Sequence, residues 1–253
     1  MENLFFGTKE KVSTSKKMWP IFKRDLSRMI HSNVVGIIIV LFLTMMGALF
    51  FIDFFDSVQA LNMRKFFSQA PLLLSIFCPA LTMGSFALEH NSETLDLLQT
   101  MPVRSWQIVA AKFLSCMALL VIVFFFTLSY PMTLSTLGAL DWGPVIGGYI
   151  ALILLGGGYI ALGILASSCT KDQITSILIA FFMCFALTFV HRLSVDASGM
   201  TATILQNLSA NAHFSNIARG VIDIRDILYA FTLQFFALTA TGLILEAKKY
   251  PVK

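Results

Sequence analysis

The chain has 253 residues, of which 57% are hydrophobic and only 13% are charged. Soluble domains carry about 25% charged residues, so this composition excludes a sizeable soluble domain and predicts one polytopic membrane domain. The net charge of +4 is small, and the positions of the basic residues are more informative than their sum.

The N-terminal segment, residues 1–33, is polar and basic and predicts a helix on the membrane surface. Over residues 18–31 apolar side chains recur at about 100° per residue, and Asp25 is the charge that falls on the apolar side. A basic amphipathic helix before a span is expected to lie in the interface plane. A topogenic anchor and a docking helix for a partner protein both remain open. The residues assigned to this interface helix are Trp19, Phe22, Lys23, Arg24 and Arg28.

Six apolar segments follow, and each is long enough to cross a bilayer, which needs about 20 apolar residues. They predict an all-α polytopic fold with a membrane domain at residues 34–246 and a short tail at 247–253. Pro79 should kink the second span, and Pro131 should kink or break the third. The many glycines of the fourth span predict close helix packing. The six predicted spans are residues 34–52, 66–88, 107–137, 144–169, 173–192 and 227–246.

The distribution of lysine and arginine predicts that both termini are cytoplasmic. With that orientation most basic residues lie inside, and two polar segments, 89–106 and 170–173, face the cytoplasm. The largest outer loop, about residues 193–226, has a helical pattern around Gly220 in its second half. Its charged residues could form a local cluster of ion pairs, although a solvated charged surface is the more frequent outcome. These residues are Arg219, Asp223, Arg225 and Asp226.

The first cytoplasmic segment predicts a short helix with one apolar and one acidic side. Asn91 and Ser92 are suited to cap its N-terminus, because their side-chain oxygens can accept from the first free N–H groups. Leu95 and Leu98 recur at three-residue spacing and form part of a narrow apolar stripe. Pro102 cannot continue the helix and should end it.

Motifs for nucleotide, metal or nucleophile chemistry are absent from the sequence. There is no glycine loop followed by G-K-[ST], no H-E-x-x-H and no G-x-S-x-G. The four cysteines show no C-x-x-C spacing and read as core residues. Lys112, near the cytoplasmic end of the third span, is expected to snorkel to the surface. No span has a carboxylate clearly at its midplane, so any work done by the protein must be powered by another chain.

The run E-H-N-S-E-T-L-D-L-L-Q-T-M-P-V, residues 89–103, resembles the coupling-helix signature of type-2 ABC exporter permeases. Two positions depart from that signature, since Glu93 stands where the family usually has glycine and Asp96 where it usually has glutamate. The turn S-S-C-T-K-D-Q, residues 167–173, is similar to the family's second cytoplasmic turn. The run F-S-N-I-A-R-G-V-I-D-I-R-D resembles the outer re-entrant segment of gliding-motility permeases. The positions that fit the signature are Glu89, Thr94, Leu95, Leu97, Leu98, Thr100, Pro102 and Val103.

The resemblance implies a permease subunit of an ABC transporter, an exporter rather than an importer, in a bacterial inner membrane. The chain would be neither an ATPase nor a metal or cofactor protein, because two separate ATP-binding subunits would hold ATP and Mg²⁺. A second permease, identical or related, would complete the pore, and nucleic acid is not an expected partner. The residues expected to couple to the ATPase are Glu89, Ser92, Glu93, Thr94, Leu95, Asp96, Leu98, Pro102, Thr170, Lys171, Asp172 and Gln173; those of the outer segment are Arg219, Gly220, Asp223 and Arg225.

Two other functions remain open at the level of sequence. One is a structural membrane anchor for a motility or secretion assembly. The other is a permease for metal-site or haem maturation, suggested by twelve methionines. These are dispersed along the chain, which favours a role in filling the core. The transported substrate is not encoded in any motif of the sequence.

The predicted orientation can be tested by labelling single cysteines in a cysteine-free chain. Ser92→Cys and Lys171→Cys should react with an impermeant maleimide only from the cytoplasmic side, because both lie in the predicted inner segments. Ser215→Cys should react only from outside. Labelling of Ser92→Cys from outside would rule out this topology.

Overall fold

The computed structural model describes residues 14–56, 63–91, 104–138, 140–196, 200–221 and 223–249. Within these ranges helices are the regular secondary structure and no β-strand occurs, which confirms the predicted all-α fold. The helices are α1 (Thr14–Ile30), α2 (Asn33–Asp56), α3 (Arg64–Thr82), α4 (Ala87–Asn91), α5 (Ser105–Thr127), α6 (Ser129–Leu137), α7 (Trp142–Cys169), α8 (Gln173–Asp196), α9 (Met200–Leu208), α10 (Ala210–Ala218) and α11 (Ile224–Lys249).

Six stretches of the described residues are long and apolar enough to cross a membrane, which confirms the predicted number of spans. The second is built from α3 and α4, the third from α5 and α6, and each of the others from one long helix. The six stretches are Asn33–Ile52, Arg64–Asn91, Ser105–Leu137, Trp142–Cys169, Gln173–His191 and Ile224–Lys248.

The fourth span, α7, lies at the centre of the bundle and packs against α3, α5, α8, α10 and α11. Its glycines permit this close packing, as the sequence predicts. A Cβ atom at Gly148 would lie 2.5 Å from the ring of Phe67 on α3, and one at Gly156 would lie 2.6 Å from Leu120 on α5. Small residues at such crossings let helix backbones approach closely in a membrane, where dispersion forces rather than the hydrophobic effect hold helices together.

Two of the spans are interrupted near their ends. The second is interrupted at residues 83–86, four residues after Pro79, and resumes as α4. The third is interrupted at Leu128, close to Pro131, where the sequence predicts a kink or break. Pro131 thereby falls in the first turn of α6, where its missing N–H group has no helical partner to lose. The interruption at residues 83–86 is the more consequential one, because it sets the direction of α4.

The N-terminal helix α1 packs along α5 and is amphipathic, as predicted. Ile21 and Asp25 are buried on the side that faces the bundle, whereas Trp19 is 64% exposed. The rings of Trp19 and Phe22 stack at a centroid distance of 5.4 Å, and Lys23 is exposed. The helix is therefore docked on the bundle through one side and leaves an aromatic residue on the other.

A test of the packing around α7 compares two glycines. Replacement of Gly163 by alanine places a Cβ atom against the side chain of Thr82 on α3, and we expect a loss of about 1–3 kcal/mol in stability from overpacking. The matched control is Gly36→Ala, because no heavy atom lies within 4 Å of a Cβ there. The measurement is the thermal unfolding midpoint of the purified protein in detergent. Equal midpoints for the two variants would contradict close packing at Gly163.

Candidate functional site

Three buried charges meet at the end of the bundle where α4 begins. Asp25 of α1, Glu89 of α4 and Lys112 of α5 are 2%, 4% and 2% exposed, respectively. The Lys112 ammonium donates to Glu89 Oε1 at 2.8 Å and to the carbonyl oxygen of Ser85 at 2.6 Å. It lies 3.4 Å from Asp25 Oδ2, which is an ion pair rather than a hydrogen bond. We call Asp25, Glu89 and Lys112 the buried charge cluster.

The prediction that Lys112 snorkels to the surface is wrong. Its side chain is almost fully buried and its ammonium lies 4.8 Å from the centroid of the Phe86 ring. An ammonium has three N–H donors, and here three oxygen atoms from two different segments of the chain lie around it. Lys112 does not extend to the surface because these oxygen atoms stabilise its charge inside the protein.

Two arginines of α1 close the buried charge cluster from the outside. Arg24 Nη2 lies 3.1 Å from Asp25 Oδ1 and 3.6 Å from Glu89 Oε1. Arg28 Nη1 lies 3.6 Å from Glu89 Oε1 as well. The side chains of both arginines are about half exposed, so they screen the carboxylates from solvent while staying partly hydrated. The sequence assigned these two arginines to a membrane surface, and the structure shows that they also contact Glu89.

The start of α4 is held by Ser167 near the end of α7. The Ser167 hydroxyl oxygen accepts from the backbone N–H groups of Phe86 and Ala87, each at 3.0 Å. The same hydroxyl donates to the carbonyl oxygen of Met83 at 3.1 Å. One side chain thus bridges both sides of the interruption in the second span. Sequence reasoning did not select Ser167, although the S-S-x-T pattern of the turn contains it.

The turn at residues 170–173 lies at the same end of the bundle. Thr170 donates its hydroxyl to the carbonyl oxygen of Ala166 at 3.1 Å and ends α7. The carbonyl oxygen of Asp172 accepts from Ser176 at the start of α8. Lys171 and Asp172 are exposed, and Gln173 is half-buried. Their contacts among the described residues are those of a turn between two spans, with both charged side chains directed away from the core.

A lysine of the last helix links this turn to the root of the predicted coupling segment. Lys248 of α11 donates to the carbonyl oxygen of Ser168 at 2.8 Å, and its ammonium lies 3.1 Å from His90 Nε2. His90 follows Glu89 in α4, so α4, α7 and α11 meet at one point. The structure therefore brings Glu89 and the 170–173 turn to the same end of the molecule.

Most of the predicted coupling helix lies outside the described residues. This applies to the positions between the end of α4 at Asn91 and Arg104. At the far side of this segment, the backbone N–H of Arg104 donates to the side chain of Gln107 at 3.2 Å and α5 begins. The coupling assignments that stay predictions for this reason are Ser92, Glu93, Thr94, Leu95, Asp96, Leu98 and Pro102.

The segment around Gly220, as far as the structure describes it, does not form the local ion-pair cluster that the sequence left open, and three of the four charged residues concerned, Arg219, Asp223 and Arg225, are exposed. Among its described residues, Asp226 pairs with His213, which sequence reasoning did not select, at 2.5 Å. Asp223 instead accepts from the backbone N–H of Arg225 at 3.0 Å and caps α11. Arg219 is exposed at the end of α10, and Arg225 is exposed at the start of α11. The local charge pattern did not predict the His213–Asp226 pair because the two residues are 13 positions apart in the sequence.

The tight connection between α10 and α11 depends on Gly220. Its φ of +86° lies in the left-handed region, which glycine enters without a steric penalty. The backbone there also lies close to α7, because a Cβ atom at Gly147 would be 2.5 Å from the carbonyl oxygen of Ile217. The connection is therefore pressed against the N-terminal part of the fourth span.

Comparison with known proteins identifies the family. A family model described as "ABC-2 family transporter protein" matches residues 19–232. The chain belongs to the ABC-2 transporter family. The match extends from α1 into α11 and contains the whole buried charge cluster and Ser167. A search of curated proteins finds no match to this chain.

Membership of the ABC-2 family makes the chain a multi-pass membrane permease of an ABC transporter. Such a permease works with an ABC ATP-binding subunit, which is where the family's nucleotide chemistry is located. The buried charge cluster is therefore a part of a permease. What the cluster can do is mechanical: it connects α1, α4 and α5 through charges that are costly to separate.

The buried charge cluster can be tested by removing its cation. Lys112→Met leaves two buried carboxylates without their ammonium, and we expect a loss of about 3–5 kcal/mol in stability. Lys23→Met, an exposed lysine of α1, should change stability by less than about 0.5 kcal/mol. The double variant Lys112→Met/Glu89→Gln should recover part of the loss. The measurement is unfolding in detergent, and a Lys112→Met protein as stable as Lys23→Met would show that the cluster is not structural.

Proposed function

We propose that this chain is the membrane permease of an ABC exporter, and that a separate ATPase drives it through residues 89–106. The observation that carries the proposal is the buried charge cluster at the root of that segment. Glu89 is the first residue of the segment and is bound to α5 through Lys112 and to α1 through Arg24 and Arg28. A force applied to the segment would therefore act on three helices at once.

The attachment of the segment's two described ends supports a coupling role. On one side the segment continues from α4, whose start is fixed by Ser167 of α7. On the other side it continues into α5, whose first residues are capped. Both ends are thus tied to spans of the bundle. Displacement of such a segment by a nucleotide-dependent partner would move the second and third spans rather than dissipate in a flexible connection.

Charge complementarity supports a protein partner at this end. The exposed groups of the region include the basic side chains of α1 and Lys171, and the predicted coupling helix adds an acidic side. An apolar stripe of leucines next to such charges is a liability in water unless a partner covers it. We propose that two ATP-binding subunits dock here, each holding its own ATP and Mg²⁺.

The remaining features of the proposal come from family resemblance. Export is proposed because the resembled type-2 permeases mostly export, and a second permease, identical or related, would complete the pathway. The location would be a bacterial inner membrane, with both termini in the cytoplasm. Among the described residues no group of histidine, cysteine or carboxylate side chains could hold a metal ion, so metal coordination provides no support for the rival maturation function.

The coupling role can be tested in the predicted coupling helix with Leu98→Asp. A charge on the apolar stripe should cost on the order of a few kcal/mol where a partner cleft must receive it. The membrane domain does not need this residue for its own burial in lipid, so insertion should be normal. The measurement is paired: the amount of permease in the membrane, and the amount of ATPase subunit that co-purifies with each permease. Normal insertion with lost ATPase retention is the expected result.

Gln99→Asp is the matched control, because it introduces the same charge one residue away from the stripe. This control should insert and retain the ATPase as the unmodified chain does. If Leu98→Asp retains the ATPase and its ATP turnover fully, the coupling role is wrong and a structural anchor becomes the better reading. Equal loss in both variants would show that added charge, rather than the apolar stripe, is responsible.

A further inference from the structure

A second buried charge, that of Asp226, lies where α9, α10 and α11 meet. His213 of α10 has both ring nitrogens engaged. Its Nδ1 lies 2.5 Å from Asp226 Oδ1, and its Nε2 lies 3.1 Å from the carbonyl oxygen of Asn207 at the end of α9. Asp226, in the first turn of α11, is only 4% exposed. The imidazole thus bridges a carboxylate and a backbone carbonyl.

The number of protons in this arrangement follows from the chemistry of its groups. A backbone carbonyl only accepts hydrogen bonds, an ionised carboxylate only accepts, and a neutral imidazole has a single N–H. Both contacts of His213 can be hydrogen bonds only when the pair carries one additional proton, either on the ring or on Asp226. We propose that His213 and Asp226 form a one-proton binding site that holds α9, α10 and α11 together.

The surroundings favour a proton as the ligand. The last carbonyls of a helix carry the negative end of its dipole, and those of α9 at Asn207 and Leu208 face this site. Tyr229 of α11 donates to the carbonyl oxygen of Leu208 at 2.8 Å and stacks on the His213 ring at 4.2 Å. The adjoining cavity is about 20 Å³, which is room for about one water molecule and too small for an organic ligand.

The helices packed against α10 carry other titratable and charged groups, but the α7 and α9 residues closest to His213 add none. The α7 residues that line the cavity are apolar, namely Ala151, Leu154, Leu155 and Gly158. The sequence of α9 contains no titratable residue. The titratable or charged side chains described on or beside the remaining helices packed against α10 are Arg64, Lys65 and Cys78 around α3; Asp141, Tyr149, Tyr159 and Cys169 around α7; Lys171, Asp172, Cys184 and His191 around α8; Arg219 at the end of α10; and Asp223, Arg225, Tyr229, Glu246 and Lys248 around α11.

Loss of the proton breaks one of the two contacts. A neutral ring that keeps its N–H on the carboxylate turns the Nε2 lone pair toward the carbonyl oxygen of Asn207, which repels it. The end of α9 is then held to α11 by the Tyr229 hydroxyl. Because α10 packs on α7, α8 and α11 and keeps its bond to Asp226, loss of the proton loosens the end of α9 from α10 and leaves α10 on the bundle. This inference does not depend on the proposed coupling role.

The test uses hydrogen–deuterium exchange of the full-length permease in lipid nanodiscs. Exchange of the backbone at residues 205–218 is measured at about pH 5.5 and about pH 8.5, on either side of the range where histidine side chains titrate. Each rate is divided by the chemical exchange rate at the same pH. We expect the corrected exchange to be about tenfold faster at the higher pH, the factor that corresponds to one lost hydrogen bond of a charged group.

Two variants separate the proton from the structure. In Asp226→Asn the new amide donates to Nδ1 of a neutral ring, whose Nε2–H then donates to Asn207, so the segment should stay protected at both pH values. In His213→Gln one side chain cannot bridge both acceptors, and exchange should be fast at both. His31→Gln is the control, because that histidine, which follows α1, bonds only the carbonyl oxygen of Ser27 at 2.8 Å among the described residues; it should keep the pH response.

The outcomes are decisive in both directions. Equal corrected exchange of the unmodified chain at the two pH values overturns the proposal, and so does a pH response that survives in Asp226→Asn. If His213→Gln fails to fold, as judged by lost protection of α7, the gain of protection in Asp226→Asn at the higher pH decides alone. A pH response that disappears in His31→Gln would assign the effect to a different part of the chain and also contradict the proposal.

Discussion

A buried ammonium is the constraint on which one end of this bundle depends. Lys112 lies in a span, and separating its charge from water is costly unless oxygen atoms surround it. Those oxygens come from α1, from α4 and from the interruption between α3 and α4. Because no single segment supplies them, satisfying Lys112 requires α1 to dock on α5 and α4 to start where it does. The start of α4, from which the predicted coupling segment continues, follows from that electrostatic requirement.

The central span, α7, connects this constraint to the rest of the bundle. Its glycines have no side chains where α3 and α5 cross it. The α7 backbone therefore packs directly against an aromatic ring of α3 and an aliphatic side chain of α5. Near its end, Ser167 completes the hydrogen bonds of the interrupted second span. At its other end, around Gly147, α7 packs against α10. The start of α4 is therefore joined to the rest of the bundle through a packed helix.

Polar groups at the two ends of the bundle are arranged on the same principle. The buried charge cluster unites helices distant in sequence through a lysine, and the outer site unites three helices through a histidine. In each case the carboxylate is almost fully buried, so its partner is needed for stability. The difference is the side chain, which is a lysine at one end and, at the other, a histidine whose proton is the proposed ligand. One end is suited to permanent attachment and the other to a reversible one.

Hydropathy by itself determined the six spans, the all-α fold and the amphipathic α1, because these depend on the length and period of apolar runs. A local motif in the sequence, the run at residues 89–103, also selected Glu89. Only the tertiary structure decided the partners of Lys112, the role of Ser167 and the pairing of His213, whose contacts cross 23, 81 and 13 residues of sequence. A periodic pattern assigns a residue to one side of a helix. The atoms that the residue contacts on that side depend on how the helices pack in the folded protein.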